Sequence, residues 1–341
     1  MAESLAGKRI AVVRLSAIGD VVHVLPVVAS IRAAAPDAHV SWLIQPTPYE
    51  LVRHHRAVDE FILFERRPLA RSYARLRKVM RGREFDLVLA LHTSAKAGLV
   101  TSILRSPWKV GFDRARAPEL NWLFTNDRIA ARPRGHAQDE MLEFLDHLGV
   151  PRRLEWGIGP TETERAQYAD LLPEFEGPTV ALVVASSLRE KNWPPERFAA
   201  LADRLADEFG ARCVIVGGRA PAEVRAAEAI RRLARTPPSD LGAWDLRRLA
   251  YLLDRADVVV SPDSGPLHIA IATGTPSVAL MGHTNPKRVG PYRFSELMVD
   301  AFGDAGEDYP ATARNRSGRM QRIQVEEVVE KIGKALLDFE L

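Results

Sequence analysis

The chain has 341 residues, 46% hydrophobic and 27% charged, with a formal net charge of +3 at pH 7. These are the proportions of an ordinary soluble protein, and the length suits two domains with a core each. Its one cysteine, Cys213 in an apolar stretch, excludes an internal disulfide and a cysteine-built zinc or iron–sulfur centre. No apolar run approaches the roughly 18–20 residues needed to cross a bilayer, and the polar start up to Lys8 does not resemble a signal peptide. A cytoplasmic protein is expected, with peripheral contact to a membrane surface left open.

The predicted elements alternate strand and helix. A β-branched strand over 9–14 runs into Ser16-Ala17-Ile18-Gly19-Asp20, and a helix follows over 21–35, stopped by Pro36. Strands are predicted at 40–44 and 61–64, a strongly basic helix at 70–81, and a buried strand at 85–91. The second half repeats this grammar: a strand at 179–185, a polar loop through Trp193, a helix ending at Phe209-Gly210, and a strand at 213–216. Further strands at 256–260 and 276–281 flank a short helix at 267–273, and an amphipathic helix closes the chain at 325–337. Strands alternating with helices predict parallel sheets covered on both faces. Glycines and prolines cluster at 155–178, which places the domain boundary there. Ligands are expected in the cleft at the carboxyl ends of the strands. No dinucleotide fingerprint or P-loop is present, which argues against a dehydrogenase or kinase.

Three constellations carry chemistry. In the first, Ser16 to Asp20, Gly19 is expected to let the backbone turn sharply. Asp20 reads either as a helix N-cap or as a carboxylate poised to take a proton from an acceptor hydroxyl. His23 lies one turn on. In the second, Asp263-Ser264-Gly265-Pro266-Leu267-His268 joins a buried strand to a helix. Free backbone N–H groups and the positive helix end there suit a diphosphate, and Ser264 and His268 add donors. In the third, Ser186-Ser187-Leu188-Arg189-Glu190-Lys191-Asn192-Trp193-Pro194 offers hydroxyls and positive charge at another strand end.

Arginines and lysines crowd the first half. They could attract nucleic acid, anionic lipid headgroups or a phosphorylated substrate, or they could simply be a solvated helix face. No DNA- or RNA-binding signature accompanies them, so nucleic acid is not an expected partner.

Taken in this order, Arg14-Leu15-Ser16-Ala17-Ile18-Gly19-Asp20, Lys191-Asn192-Trp193-Pro194, Asp263 to His268, and the tail from Gly274-Thr275-Pro276 to Gly290-Pro291-Tyr292 resemble glycosyltransferase family 9, the heptosyltransferases of lipopolysaccharide core synthesis. The resemblance covers nearly the whole chain. It implies an α/β GT-B fold, two Rossmann-like domains with parallel sheets facing across a cleft. On this reading residues 1–165 bind acceptor, residues 175–322 bind the nucleotide sugar, and a helix in 323–341 is able to cross back to the first domain.

The resemblance further implies an inverting, metal-independent transfer of heptose from ADP-heptose to a lipid-anchored, anionic inner-core glycan at the inner membrane surface. ADP-heptose is then a substrate, and no cofactor or metal is expected. Asp20 is implied as catalytic base. Ser186, Ser187, Lys191, Asp263, Ser264, Gly265 and His268 are implied as donor contacts, with Glu223 at ribose and Trp244 against adenine as looser matches. Ser16, Gly19, Arg66, Arg67, His92, Lys96, Arg114, Arg116 and Arg134 are candidates for the acceptor side. The chain has Ala90-Leu91-His92 at the strand end where the family often carries an acid and a glutamine. Alternatives are a GT-B transferase for another nucleotide sugar or for a glycan or protein acceptor, an epimerase of related fold, and a non-catalytic nucleotide-binding module.

Overall fold

The computed structural model describes residues 5–65, 67–242 and 245–338. It divides into two compact units, Met1–Gly157 and Ile158–Leu341. In the first, the elements run β1 Arg9–Val13, α1 Ile18–Ala34, β2 His39–Ile44, α2 Pro46–Val52, β3 Glu60–Leu63, α3 Leu69–Val79, β4 Leu87–Ala90, α4 Ala95–Ile103, β5 Trp108–Gly111, a 3-10 turn Asn121–Phe124, β6 Asp127–Arg128 and α5 Ala137–Leu148. The six strands form one parallel sheet in the order β3-β2-β1-β4-β5-β6. The central strands are buried along nearly their whole length, as strands covered on both faces must be.

The second unit runs α6 Glu162–Tyr168, β7 Thr179–Val183, α7 Pro195–Phe209, β8 Arg212–Val216, α8 Pro221–Leu233, β9 Ser239–Asp240, α9 Leu246–Arg255, β10 Val258–Pro262, α10 Gly265–Thr273, β11 Ser277–Met281, α11 Pro286–Val289, β12 Val299–Asp300 and α12 Val325–Asp338. Its sheet is also parallel, in the order β12-β11-β10-β7-β8-β9. Counted within each unit, both sheets read third, second, first, fourth, fifth, sixth. The order therefore reverses between β1 and β4 in one unit and between β7 and β10 in the other, the places where an open parallel sheet leaves a crevice for ligands.

The second unit begins inside the 155–178 stretch, at its early end, and α6 belongs to it. Arg247 on α9 explains this: its guanidinium donates to the carbonyls of Ile158 and Gly159 and pairs with Glu164 on α6 at 2.7 Å. In the last helix, Val328, Val329, Ile332 and Ala335 of α12 are buried in the second unit's own core with residues of β7, β8 and β10, so the helix closes that core. Cys213 is buried in β8, and burial pushes its thiol up to about 12.

Candidate functional site

The first crest is built from the ends of β1 and β4. Helix α1 starts at Ile18, earlier than predicted, with Ala17 as its N-cap. Asp20 is thus not the cap. It occupies the first turn and reaches back to accept the Ala17 backbone N–H at 3.1 Å. Gly19 lies within the helix and has no positive φ, so it makes no sharp turn.

Arg14, which the sequence reading left without a role, organises the crest. It is buried, donates to the Leu91 carbonyl of the β4 end at 2.6 Å, and pairs with Asp20 at 2.5 Å. Burial opposes charge on Asp20, but the guanidinium of Arg14 and then His23 outweigh it and hold the carboxyl below its usual range. Asp20 is therefore ionised, and its side chain is still 44% exposed. That combination suits a base that must meet a substrate hydroxyl.

His92 follows β4 and stands beside this pair. Its Nδ1 accepts the Leu15 backbone N–H at 3.3 Å, which leaves the proton on Nε2. Burial, and then the charge of Arg14, push it down to about 3, so the ring is neutral at physiological pH. His23 is buried against Gln138 at 3.2 Å and edge-on to His136, which makes it a packing residue below the crest.

The candidate acceptor residues divide. Ser16 is half-buried near Asp20. Lys96 lies in the first turn of α4, close enough to His92 for its charge to be felt there. Arg67 and Arg114 are exposed, the latter stacked 4.4 Å over Trp122. Arg134 donates to the Arg116 carbonyl at 2.8 Å and stays one-third exposed. Arg116 is a correction. It is 1% exposed, and each of its three nitrogens already has a partner, Asp113, Glu143 and the Ala130 carbonyl, so it braces the fold from within. Arg66 lies outside the described residues.

The second crest joins the ends of β7 and β10. Asn192 folds the loop after β7 back on itself by accepting both the backbone N–H of Ser186 and its hydroxyl. Trp193 anchors that loop in the core, 1% exposed, donating its indole N–H to the Ile323 carbonyl at 3.1 Å. These two contacts fix Lys191 between them. Its ammonium reaches Asp263, at the end of β10, at 2.6 Å.

Asp263 is buried and also accepts the Thr284 hydroxyl at 2.7 Å, while its other oxygen faces His268 Nε2 at 3.5 Å. Burial works against its charge, but His268 and Lys191 prevail and hold it well below the usual carboxylate range. Thr284, beyond β11, is a member the sequence reading missed. Ser264 starts α10, and no side chain caps the helix; the Ser264 hydroxyl turns instead to Ser261 at 3.0 Å. Ser264 and Gly265 remain partly exposed, so the helix start and its dipole face outward beside Lys191 and His268. Ser187 is exposed in the same loop.

Glu223 has a structural task in the turn that opens α8. Its two oxygens accept the backbone N–H groups of Gly218 and Ala220, at 2.8 and 2.9 Å, and so close that turn. A Cβ on Gly218 would lie 2.7 Å from this carboxylate, which explains the glycine. The side chain stays half-buried, with acceptor capacity beyond these two bonds. Trp244 lies outside the described residues. Among the described residues, no three His, Cys, Asp or Glu side chains gather as a metal-holding group, and no helix is long and apolar enough to cross a membrane.

Known proteins are similar to this chain in sequence and in fold. The family model described as glycosyltransferase family 9 (heptosyltransferase) matches residues 73–306. The sequence is 29% identical to the lipopolysaccharide core heptosyltransferase OpsX of Haemophilus influenzae, covering 96% of this chain and 97% of that one. It is 26% identical to lipopolysaccharide heptosyltransferase 1 of Escherichia coli K12, over 86% and 93% of the two chains. Among solved structures, a glycosyl transferase family 9 protein from Veillonella parvula superposes with a TM-score of 0.84 at 25% identity, covering 99% of this chain and 100% of that one. The E. coli heptosyltransferase WaaC with ADP shares the fold with a TM-score of 0.78 at 24% identity, over 96% and 99%. The two Rossmann-like sheets are those of a GT-B glycosyltransferase. With the match of family model to most of the chain, the conclusion is direct: this protein is an enzyme of glycosyltransferase family 9, the heptosyltransferase family.

Proposed function

We propose that the enzyme transfers heptose from ADP-heptose to a lipid-anchored, anionic inner-core acceptor of lipopolysaccharide, with inversion and without a metal, at the cytoplasmic face of the inner membrane. The observation that carries this reading is the second crest: an ammonium, a histidine and an uncapped helix start gathered around one buried carboxylate. A departing diphosphate gains negative charge as the anomeric C–O bond breaks. Lys191, the backbone N–H groups of Ser264 and Gly265, and the α10 dipole can take up that charge in the manner of an oxyanion hole. Asp263 keeps Lys191 and His268 in place.

Asp20, ionised and accessible, supplies the base. It takes the proton of the acceptor hydroxyl as the new C–O bond forms on the face opposite the leaving diphosphate. Arg14 keeps its carboxylate charged and aimed. Arg67, Lys96 and Arg114, with neutral His92 as a hydrogen-bond donor, suit an acceptor bearing carboxylate and phosphate. The names of the relatives support heptose and lipopolysaccharide as the two substrates.

The test has two steps. Calorimetric titration with ADP, UDP, GDP and ADP-heptose, without added metal, is expected to show binding of ADP and ADP-heptose alone; preference for UDP or GDP would sink the heptose assignment. Turnover with a lipid-core acceptor is then expected to fall about 10²–10⁴-fold in Asp20→Asn, with ADP affinity unchanged. An Asp20→Asn enzyme of normal rate would remove the base from this mechanism.

A further inference from the structure

One surface of the first unit is not used by this chemistry. Between Arg66 and Arg83 the chain carries eight basic residues and no acid. The seven from Arg67 to Arg83 lie on and around α3. Arg75 pairs with Glu65 and Arg83 with Glu60. Arg71, Arg77, Lys78 and Arg81 are exposed and have no carboxylate partner among the described residues.

Helix α4 is tied to this basic helix by the Tyr73 hydroxyl, which donates to the Lys96 carbonyl at 2.9 Å. It also carries an apolar knob. Gly98 lets the 3-10 turn Asn121–Phe124 approach closely: a Cβ there would lie 2.4 Å from the Phe124 ring. Asn121 fastens the turn by donating to the Ser94 carbonyl. The result is three leucines held out to solvent on a firm base, Leu99 at 47%, Leu120 at 53% and Leu123 at 57% exposure. Leu120 adopts a φ of +61°, a conformation that disfavours a leucine and that no burial of its side chain repays. Trp122 sits in the same turn under the Arg114 guanidinium.

We propose that the leucine knob and the outer face of α3 together form the surface by which this enzyme seats on a bilayer of anionic phospholipid. The leucines enter the acyl boundary, the indole lies at headgroup level, and the unpaired cations meet lipid phosphates. Charge complementarity selects this occupant: exposed apolar side chains on the helix next to four cations without a carboxylate partner match an anionic interface better than they match a protein patch. The inference rests on the lipid-anchored acceptor proposed above and adds the residues that would bring the enzyme to it.

The test is cosedimentation of the full chain with vesicles of phosphatidylcholine alone and of phosphatidylcholine with phosphatidylglycerol. The wild type is expected to bind only the anionic vesicles, and high salt to release it. Leu120→Ser with Leu123→Ser should weaken binding at least about tenfold. Arg77→Gln with Lys78→Gln and Arg81→Gln should weaken it roughly 100-fold, at about fivefold per charge. Both variants should transfer sugar to a deacylated, water-soluble acceptor at the wild-type rate. Failure of the wild type to bind anionic vesicles, or vesicle binding by the leucine variant equal to that of the wild type, would overturn the proposal. Self-association that the leucine substitutions abolish, without vesicle binding, would overturn it in favour of a protein contact. A wild type that binds vesicles but transfers nothing to the soluble acceptor would count against the proposed reaction and leave the bilayer surface standing.

Discussion

Replacing Lys191 by methionine separates the fold of the donor crest from its function. The ammonium and Asp263 are 2.6 Å apart, with side chains only 19% and 9% exposed. When the lysine goes, the carboxylate keeps the Thr284 hydroxyl at 2.7 Å and His268 at 3.5 Å. The unit therefore loses one charge-assisted hydrogen bond, not a whole network, a cost of about 1.5–3 kcal/mol that a unit with its own core can absorb. The same ammonium offered to a diphosphate contributes a similar amount. ADP should then bind roughly 10–150-fold more weakly to Lys191→Met. Lys191→Arg should recover part of the loss, since the charge returns on a differently shaped head. Titration calorimetry with ADP measures the affinity, and urea unfolding of the same samples shows that the variant is folded. A folded Lys191→Met protein that binds ADP as tightly as the wild type would refute the cradle, because no other side-chain ammonium approaches Asp263 among the described residues.

Two further predictions concern acid sensitivity. Glu164 is drawn from 4.5 down to about 2, chiefly by its hydrogen bond from Arg247 and against the effect of burial. A depressed carboxyl stabilises fully above its unfolded value near 4.5, by about 3 kcal/mol, and loses that contribution as pH falls towards 2. Arg247→Met should therefore cost about 3–5 kcal/mol at neutral pH in urea unfolding, and the gap to wild type should close in acid; an equal gap at both pH values would contradict the pairing. His92 adds to the same acid sensitivity, at higher pH. Its folded value of about 3 lies below the unfolded 6.5, so the unfolded chain takes up the proton first and stability declines as pH drops through that window. His92→Gln should remove about 2 kcal/mol of the stability lost by pH 5, and an unchanged pH profile would mean that the imidazole is not buried as described.

The parallel α/β architecture was legible because buried strands and their intervening helices each carry their own period. So were the two motifs at the second crest, since a strand running into Asp263-Ser264-Gly265-Pro266 leaves few ways to start a helix. What escaped was long-range or local in a misleading way. Arg14 ends an apolar strand, where an arginine looks like an exit to solvent; only the neighbouring β4 end, with the Leu91 carbonyl, turns it inward. Thr284 is 21 residues from the carboxylate it serves. The capping task of Glu223 was hidden because its partners are backbone amides, which a sequence does not display. Arg116 sits three residues after Asp113, a spacing that hinted at an internal pair, but Glu143 completes the brace from 27 residues away. Helices α5 and α8, both plainly amphipathic, passed unnoticed beside the motif-bearing segments.

The identical strand order of the two sheets has a consequence for how such an enzyme can change. Crossover handedness and parallel pairing guarantee a crest above the point of reversal in each sheet, whatever residues stand there. The backbone thus supplies two vacancies of the same shape, and the chain has filled one with Arg14, Asp20 and His92 and the other with Lys191, Asp263 and His268, with no detectable sequence repeat between them. Residues at one crest can drift towards a new acceptor without disturbing the contacts at the other, because each crest stands on a unit with its own core. Altered acceptor choice with an unaltered donor is then the easy direction of divergence, open to substitutions along a few loop positions of a single sheet.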